Sequence, residues 1–125
     1  MNKKLFLDDI RDPKDVMYYI QNNIYWQDWF IVRDYDEFVL WIESNGLPDL
    51  ISFDHDLADE HYTHPTDIVN YPYKEKTGFE CAKWLVEYCE DNELKLPECM
   101  VHSANPIGAD NINTYLKNVK KHLNL

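Results

Sequence analysis

Near its start the chain reads Lys4-Leu5-Phe6-Leu7-Asp8-Asp9, an apolar run that stops at two acidic residues. The arrangement recurs at residues 50–56, where Leu-Ile-Ser-Phe is followed by Asp-His-Asp, and at residues 99–105, where Cys-Met-Val is followed by His-Ser-Ala-Asn. Short apolar runs of this kind are typical of buried strands. Because the strands of a parallel sheet all end at the same edge, we expect the three polar clusters to meet in one crevice.

The stretches between these runs have helical patterns, so that strands and helices alternate along the chain. A further strand is predicted at residues 29–32, and a helix is predicted after each strand. The order βαβαβαβα is typical of an α/β fold in which helices cover both faces of a parallel sheet. We therefore predict three layers, with the sheet in the middle.

Local sequence signals predict where the helices begin. Asp12-Pro13 is a capping acid followed by a proline at the first helical position. The apolar stripe of that first helix is predicted to comprise Val16, Met17, Ile20 and Ile24. Residues 77–80, Thr-Gly-Phe-Glu, are predicted to form a capping box at the start of a later helix. The last helix is predicted to start at Pro106 or Asp110.

Residues 57–77 interrupt the alternation. They contain histidines, tyrosines and prolines without a clear period, among them Tyr62, Tyr71 and Tyr73. A connection of this length inside a compact domain is usually functional or disordered. We interpret it as a loop or lid inserted after the third strand of one domain that covers residues 1–125.

The composition limits the classes of protein to which the chain can belong. With 125 residues, 45% of them hydrophobic, it can form one domain with a core. The formal net charge of −11 argues against a broad nucleic-acid-binding surface. No apolar stretch has the length of a signal peptide or membrane span, and we expect reduced thiols at Cys81, Cys89 and Cys99. A cytoplasmic location is therefore expected, without membrane partners.

Three acids are candidates for a metal site: Asp8 and Asp9 after the first strand, and Asp54 after the third. Crowded carboxylates repel one another, so either one of them takes up a proton or a cation binds between them. Mg²⁺ prefers such oxygen ligands, and Mn²⁺ is the alternative. Aspartates also cap turns, which is the structural alternative for Asp8 or Asp9.

Two histidines follow the same strand ends, His55 beside Asp54 and His102 after the fourth strand. Two imidazoles near one phosphorus atom can serve as general base and general acid, since their unperturbed pKa lies near ~6.5. We therefore take both, with Asp54, as candidate catalytic residues, and Asp56 as a residue that orients a histidine or completes the metal shell through water. Packing in the core or exposure at the surface is the alternative for a lone histidine.

Further residues near these strand ends are candidates for binding phosphate. The hydroxyl of Ser103 and the amide of Asn105 can donate to phosphate oxygens, and the start of the last helix adds backbone donors. Arg11 can pair with phosphate through two nitrogens. The alternatives are an N-cap role for Asn105 and a surface ion pair for Arg11.

The order of these residues resembles that of response-regulator receiver domains. A receiver has two acids after its first strand, a phosphorylated aspartate after its third and a Ser or Thr after its fourth, which Asp8-Asp9, Asp54 and Ser103 match. The resemblance implies a receiver-like (flavodoxin-like) sheet with strand order 2-1-3-4, and Mg²⁺ bound by the three acids. Receivers also have a fifth strand that ends in a lysine, and we expect none here, because the last predicted element is the helix after the fourth strand.

The chain is more similar to one receiver-like family, the cyclic-phosphate-processing receiver domain. The resemblance covers nearly the whole chain and rests on residues 5–11, residues 52–57, Thr77-Gly78 and residues 102–106. That family, found in bacteria and phages, is assigned by inference to the processing of cyclic phosphate ends in RNA repair or nucleotide metabolism.

These observations predict a metal-assisted phosphoesterase that acts on 2′,3′-cyclic ends of RNA or on cyclic nucleotides. Its partner would be a small phosphorylated substrate or an RNA terminus. The alternative is a receiver-like switch without enzymatic activity, which would contact a protein partner through a free sheet edge. A third interpretation takes Asp54 and Asp56 as the acid pair of a haloacid-dehalogenase-type phosphatase, although that pair normally follows the first strand.

Overall fold

A parallel sheet forms the middle of the molecule. The computed structural model describes residues 3–57, 76–103 and 105–123. Within them the strands are β1 (Lys4–Leu7), β2 (Phe30–Val32), β3 (Leu50–Phe53) and β4 (Glu98–Val101). They pair in parallel in the order β2-β1-β3-β4. The predicted α/β fold and strand order are confirmed.

Helices connect these strands and cover both faces of the sheet. In the described residues they are α1 (Pro13–Val16), a short 3₁₀ helix (Asn23–Trp26), α2 (Tyr35–Asn45), α3 (Gly78–Asp91) and α4 (Pro106–Leu123). Helix α3 contacts both α2 and α4. Most of the predicted insertion, residues 58–75, lies outside the described residues, together with its three tyrosines.

The core has two parts because side chains alternate between the faces of a strand. Leu5 and Leu7 of β1 belong to the larger part, which is covered by α2, α3 and α4. Phe6 points to the other face and packs with Val16 and Tyr25 of α1 and the 3₁₀ helix. All four residues of β3 are buried, which agrees with a central strand covered on both sides.

The first helix is much shorter than the predicted one. Helix α1 ends at Val16, and a separate 3₁₀ helix begins at Asn23. The side chain of Asn22 accepts a hydrogen bond from the amide of Ile24 (3.1 Å), which starts the new turn. Asparagine competes for backbone groups in this way and so disfavours a helix interior. The predicted apolar stripe does pack in the second core, so its burial was correct although its conformation was not.

Two other predicted helix starts are clarified by the structure. Thr77 is the N-cap of α3, but its side chain makes no capping hydrogen bond, so the predicted capping box is wrong. Helix α4 begins at Pro106 rather than Asp110. Asn105 precedes it, and its Oδ1 accepts a hydrogen bond from the amide of Gly108 (3.0 Å), which is the N-cap arrangement held open for this residue.

The remaining expectations concern the thiols and the membrane. All three cysteines lie within the described residues and none forms a disulfide; Cys81 and Cys89 are buried on α3, and Cys99 is half-buried on β4. Among the helices that the structure describes, none combines the length and apolar character needed to cross a bilayer.

Candidate active site at the carboxyl edge of the sheet

Asp8, Asp54 and His102 meet at the carboxyl edge of the sheet. They follow β1, β3 and β4, which lie side by side with Leu7 opposite Phe53 and Phe53 opposite Val101. One ligand atom from each residue lies within 4.8 Å of the other two. All three side chains are buried, with at most 1% of their surface exposed.

Asp8 is held by hydrogen bonds to both of its oxygens. Oδ1 accepts from the backbone amides of Ile10 (3.0 Å) and Arg11 (2.9 Å), and Oδ2 lies 3.0 Å from Nε2 of His102. Burial by itself would raise the pKa of Asp8, but these hydrogen bonds outweigh it and the pKa is lowered. Asp8 is therefore a carboxylate at neutral pH.

Asp54 has the opposite electrostatic environment. Its Oδ2 is buried and has no hydrogen-bond partner in the described part of the chain. Burial, followed by the charge of Asp8, raises the pKa of Asp54 to about 8, and a hydrogen bond with Ser103 only partly opposes this. A buried carboxylate oxygen without a partner is costly. The pair Asp8–Asp54 therefore requires a proton or a cation.

His102 lies fully buried beside these acids. Its ring stacks on Phe6, with centroids 4.3 Å apart and planes 7° from parallel. Nδ1 lies 2.7 Å from the hydroxyl of Ser52, and the hydroxyl of Tyr19 donates to the His102 carbonyl (2.7 Å). Burial lowers the pKa of His102 despite the neighbouring Asp8, so the imidazole is neutral at pH 7.

The three side chains fit a divalent cation. They offer two carboxylates and one imidazole, and the unpaired Oδ2 of Asp54 is an acceptor that a cation would satisfy. Carboxylate oxygens suit Mg²⁺ and Mn²⁺, whereas an imidazole nitrogen as ligand favours transition metals. Asp9, the other predicted ligand, is half-buried and is not a member of this group of three.

His55 is not brought to the Asp8–Asp54–His102 group. Its ring is buried against α4, where a Cβ added to Gly108 would lie 2.5 Å from His55 Cγ. Nδ1 of His55 is 3.0 Å from Oδ1 of Asp56, which also accepts from Nδ2 of Asn105 at 3.4 Å. These contacts connect the end of β3 to the start of α4. Gly108 is therefore required for close packing.

The predicted phosphate-binding residues lie around the three buried ones. Arg11 places Nη1 3.9 Å from Oδ2 of Asp8, and its guanidinium lies over the ring of Tyr19. Ser103 is half-buried, and its Oγ accepts from the amide of Asn105 (3.1 Å). The three predicted residues Arg11, Ser103 and Asn105 thus follow the same strand ends as Asp8 and His102.

Sequence reasoning missed three residues that support this edge. The Arg33 guanidinium donates to the carbonyls of Asp8 (3.2 Å) and Arg11 (2.7 Å), and so holds the loop that follows β1. Arg33 directly follows β2, so a search for polar residues after each predicted strand, as made for the acids, would have identified it. Ser52 was visible as a lone hydroxyl in an apolar strand. Tyr25, whose hydroxyl lies 2.7 Å from Ser52 Oγ, could not be identified from the sequence in this way.

Together, the fold and the site define a receiver-like α/β domain with a buried acidic cluster at the carboxyl edge of its sheet. The family model described as the cyclic-phosphate processing receiver domain matches residues 3–118. The chain therefore belongs to that family, whose description associates it with the processing of cyclic phosphates. Neither a curated protein nor a solved structure matches the chain.

Proposed function

We propose that this domain is a metal-dependent phosphoesterase that opens cyclic phosphates, at 2′,3′-cyclic ends of RNA or in cyclic nucleotides. The observation that carries the proposal is the unpaired, buried Oδ2 of Asp54 beside Asp8 and His102. The description of the family supports a cyclic phosphate as the substrate. In net terms one water is added: its oxygen bonds to phosphorus, one P–O ester bond breaks, and the released ribose oxygen takes up the proton.

Asp8 and Asp54 are the proposed ligands of the cation, and the half-buried Asp9, next to Asp8 in sequence, is a further candidate. Mg²⁺ is the proposed ion and Mn²⁺ the alternative, because two carboxylates supply oxygen ligands. When bound, the ion would neutralise negative charge on the phosphoryl oxygens. The hydrogen bonds from Ile10 and Arg11 keep Asp8 ionised and in one orientation.

His102 is proposed to donate a hydrogen bond to the ribose oxygen that leaves. A neutral imidazole is a hydrogen-bond donor, and Nε2 of His102 lies 3.0 Å from Oδ2 of Asp8. A donor fixed in a dry site stabilises charge that develops in the transition state. His55 would support the site through Asp56 and Asn105, which together position the start of α4. Ser103, Asn105 and Arg11 remain the proposed phosphate-binding groups.

The test uses 2′,3′-cyclic nucleotides with Mg²⁺ or Mn²⁺ and two matched variants. Asp54→Asn removes the proposed metal-binding carboxyl group, whereas Asp49→Asn makes the same substitution at the other end of the same strand, where Asp49 is exposed and its Oδ2 accepts a hydrogen bond from the amide of Lys3. We expect kcat to fall roughly 100-fold or more in Asp54→Asn, since a charged transition-state contact is lost. Asp49→Asn should retain the kcat of the wild type. Equal activity in the two variants contradicts the proposal.

A receiver-like switch is the second candidate, because the same unpaired oxygen of Asp54 could accept a phosphoryl group. The exposed Phe30 and Ile31 on the edge strand β2 offer a surface for a protein partner. Treatment with acetyl phosphate, followed by mass spectrometry, separates the two functions. Added mass at Asp54 together with no turnover of cyclic phosphates would favour the switch.

A further inference from the structure

Behind the ring of His102 lies a line of two hydroxyl groups that the proposed chemistry does not use. Ser52 Oγ is 2.7 Å from Nδ1 of His102, and the hydroxyl of Tyr25 is 2.7 Å from Ser52 Oγ. Ser52, on β3, and Tyr25, in the 3₁₀ helix, are each fully buried. The two hydroxyl groups therefore connect the second core to the buried group of Asp8, Asp54 and His102 without contact with solvent.

Counting donors and acceptors gives this line one direction. Within the described residues Ser52 is the only hydrogen-bond partner of the Tyr25 hydroxyl, so Tyr25 must donate to leave no buried proton unpaired. Ser52 then donates to Nδ1 of His102, which must carry a lone pair. The proton of the neutral ring is left on Nε2, facing the Asp8 carboxylate, which can only accept.

The opposite direction leaves two groups unsatisfied. If Nδ1 carried the proton, Ser52 would accept it and donate to Tyr25, whose own proton would lack an acceptor. The lone pair of Nε2 would then face the Asp8 carboxylate at 3.0 Å. An unpaired buried donor and two opposed acceptors are each unfavourable. The Tyr25 hydroxyl on one side and the Asp8 carboxylate on the other thus each require the same tautomer of His102.

We propose that Ser52 and Tyr25 are positioning residues, which hold His102 in the tautomer that presents Nε2–H to Asp8. Stacking on Phe6 sets the plane of the ring, and a half-turn of the ring about its Cβ–Cγ bond would replace each nitrogen by a carbon, so the hydrogen bonds to Ser52 and Asp8 fix the orientation of the ring. A polar side chain in the buried strand β3 is costly unless it is hydrogen-bonded, which explains its partners on both sides.

One consequence concerns the cation. A protonated Nε2 has no lone pair for a metal, so His102 holds the ligand Asp8 rather than binding the ion itself. Partners of this kind orient a ligand carboxylate. The remaining ligand atoms are oxygens, which favour a hard cation such as Mg²⁺. This consequence and the effect on turnover rest on the proposed function, whereas the tautomer does not.

The experiment is ¹⁵N NMR of the full chain labelled at histidine, with the His102 signals assigned by their absence in His102→Gln. Asp8→Asn replaces a carboxylate, which can only accept a hydrogen bond, by an amide that can also donate one. The tautomer of His102 in this variant therefore depends on the hydroxyls of Ser52 and Tyr25 alone. We expect Nε2 to be protonated in the wild type and in Asp8→Asn, and the preference to be lost when Tyr25→Phe or Ser52→Ala is added to Asp8→Asn. Tyr19→Phe, which removes a hydroxyl bonded to the His102 backbone, serves as the control and keeps the tautomer.

Two results would overturn the inference: a proton on Nδ1 in the wild type, or a tautomer that does not change in the double variants. Tyr25→Phe retains the ring packing, so it provides the answer if Ser52→Ala does not fold. In turnover of cyclic nucleotides we expect Tyr25→Phe to lower kcat about tenfold at constant KM, as for one lost hydrogen bond. If no cyclic phosphate is turned over, the proposed function fails while the NMR result still decides the tautomer.

Discussion

Asp8 and Asp54 are both almost inaccessible to solvent, yet their pKa values shift in opposite directions. Asp8 accepts hydrogen bonds from His102 and from two backbone amides, which outweigh the effect of burial. Asp54 has an oxygen without a partner and a neighbour of like charge, which add to burial. Burial raises the pKa of both acids, and the hydrogen bonds that Asp8 accepts outweigh it, so that Asp8 rather than Asp54 carries the charge.

The raised pKa of Asp54 predicts how stability without metal depends on pH. The unfolded carboxyl loses its proton near pH ~3.9, whereas the folded one keeps it up to about pH 8, so raising the pH favours unfolding across this window. The lowered pKa of His102 has the opposite effect, but only below pH ~6.5. In chelator, the free energy of unfolding should fall by about 2 kcal/mol between pH ~6.5 and ~8.

Denaturant titrations at several pH values measure this decrease in the free energy of unfolding. In Asp54→Asn the side chain cannot ionise, so the decrease should disappear. Asp49→Asn, at the exposed end of the same strand, should retain it. A flat profile in the wild type would show that Asp54 is ionised in the folded protein.

Cation binding should in turn remove the proton from Asp54. At pH 7 the site holds one proton that a divalent ion would replace, because ligands must be deprotonated. We expect Mg²⁺ or Mn²⁺ to raise the melting temperature of the wild type, and calorimetry in buffers of different ionisation enthalpy to show release of about one proton. Binding without proton release would exclude Asp54 as a ligand.

Among the secondary-structure elements, the starts of α3 and α4 both pack against the end of β3. The amide of Gly78 donates to the carbonyl of His55 (2.8 Å), and a Cβ at Gly78 would lie 1.8 Å from the carbonyl oxygen of Asp54. At Gly108 an added Cβ would meet the His55 ring. The two helices thus fix the backbone that carries Asp54.

The two glycines should differ in their tolerance of alanine. Gly78→Ala clashes with backbone that cannot move without disturbing β3, whereas Gly108→Ala clashes with a side chain. We expect Gly108→Ala to cost about 1–3 kcal/mol of stability, and Gly78→Ala to cost more. Urea unfolding measures both, and a double-mutant cycle with His55→Ala should recover part of the loss at Gly108 only. Equal losses at both positions, unaffected by His55→Ala, would contradict this packing.

Local patterns predicted the elements more accurately than their ends. Strand β4 begins at Glu98, one residue before the apolar run that starts at Cys99, and β2 lacks the first residue of the predicted 29–32. The prediction of the first helix was wrong because apolar residues at helical spacing indicate which side chains are buried but do not fix the backbone conformation. Helix α1 instead ends at Val16, and the Asn22 side chain, which accepts a hydrogen bond from the amide of Ile24, begins a separate 3₁₀ turn at Asn23.

In the molecule as a whole, a parallel sheet gathers residues that are distant in sequence. Asp8, Asp54 and His102 come together because β1, β3 and β4 are adjacent and in register. The net charge of −11 would repel an anionic substrate from much of the surface. A cation held between the acids would therefore supply local attraction for a phosphate.

The alternation of strands and helices and the placement of acids at one edge followed from the sequence, since periodicity and strand ends are local properties, whereas the strand order was implied by the family resemblance. Hydrogen-bond partners were decided by the tertiary structure, because side-chain packing selects them across distant segments. It left Asp54 with an unpaired oxygen, turned His55 toward α4 and placed Tyr25 behind Ser52. Burial removes the water that would otherwise satisfy these groups, so each contact determines where a proton or a cation can reside.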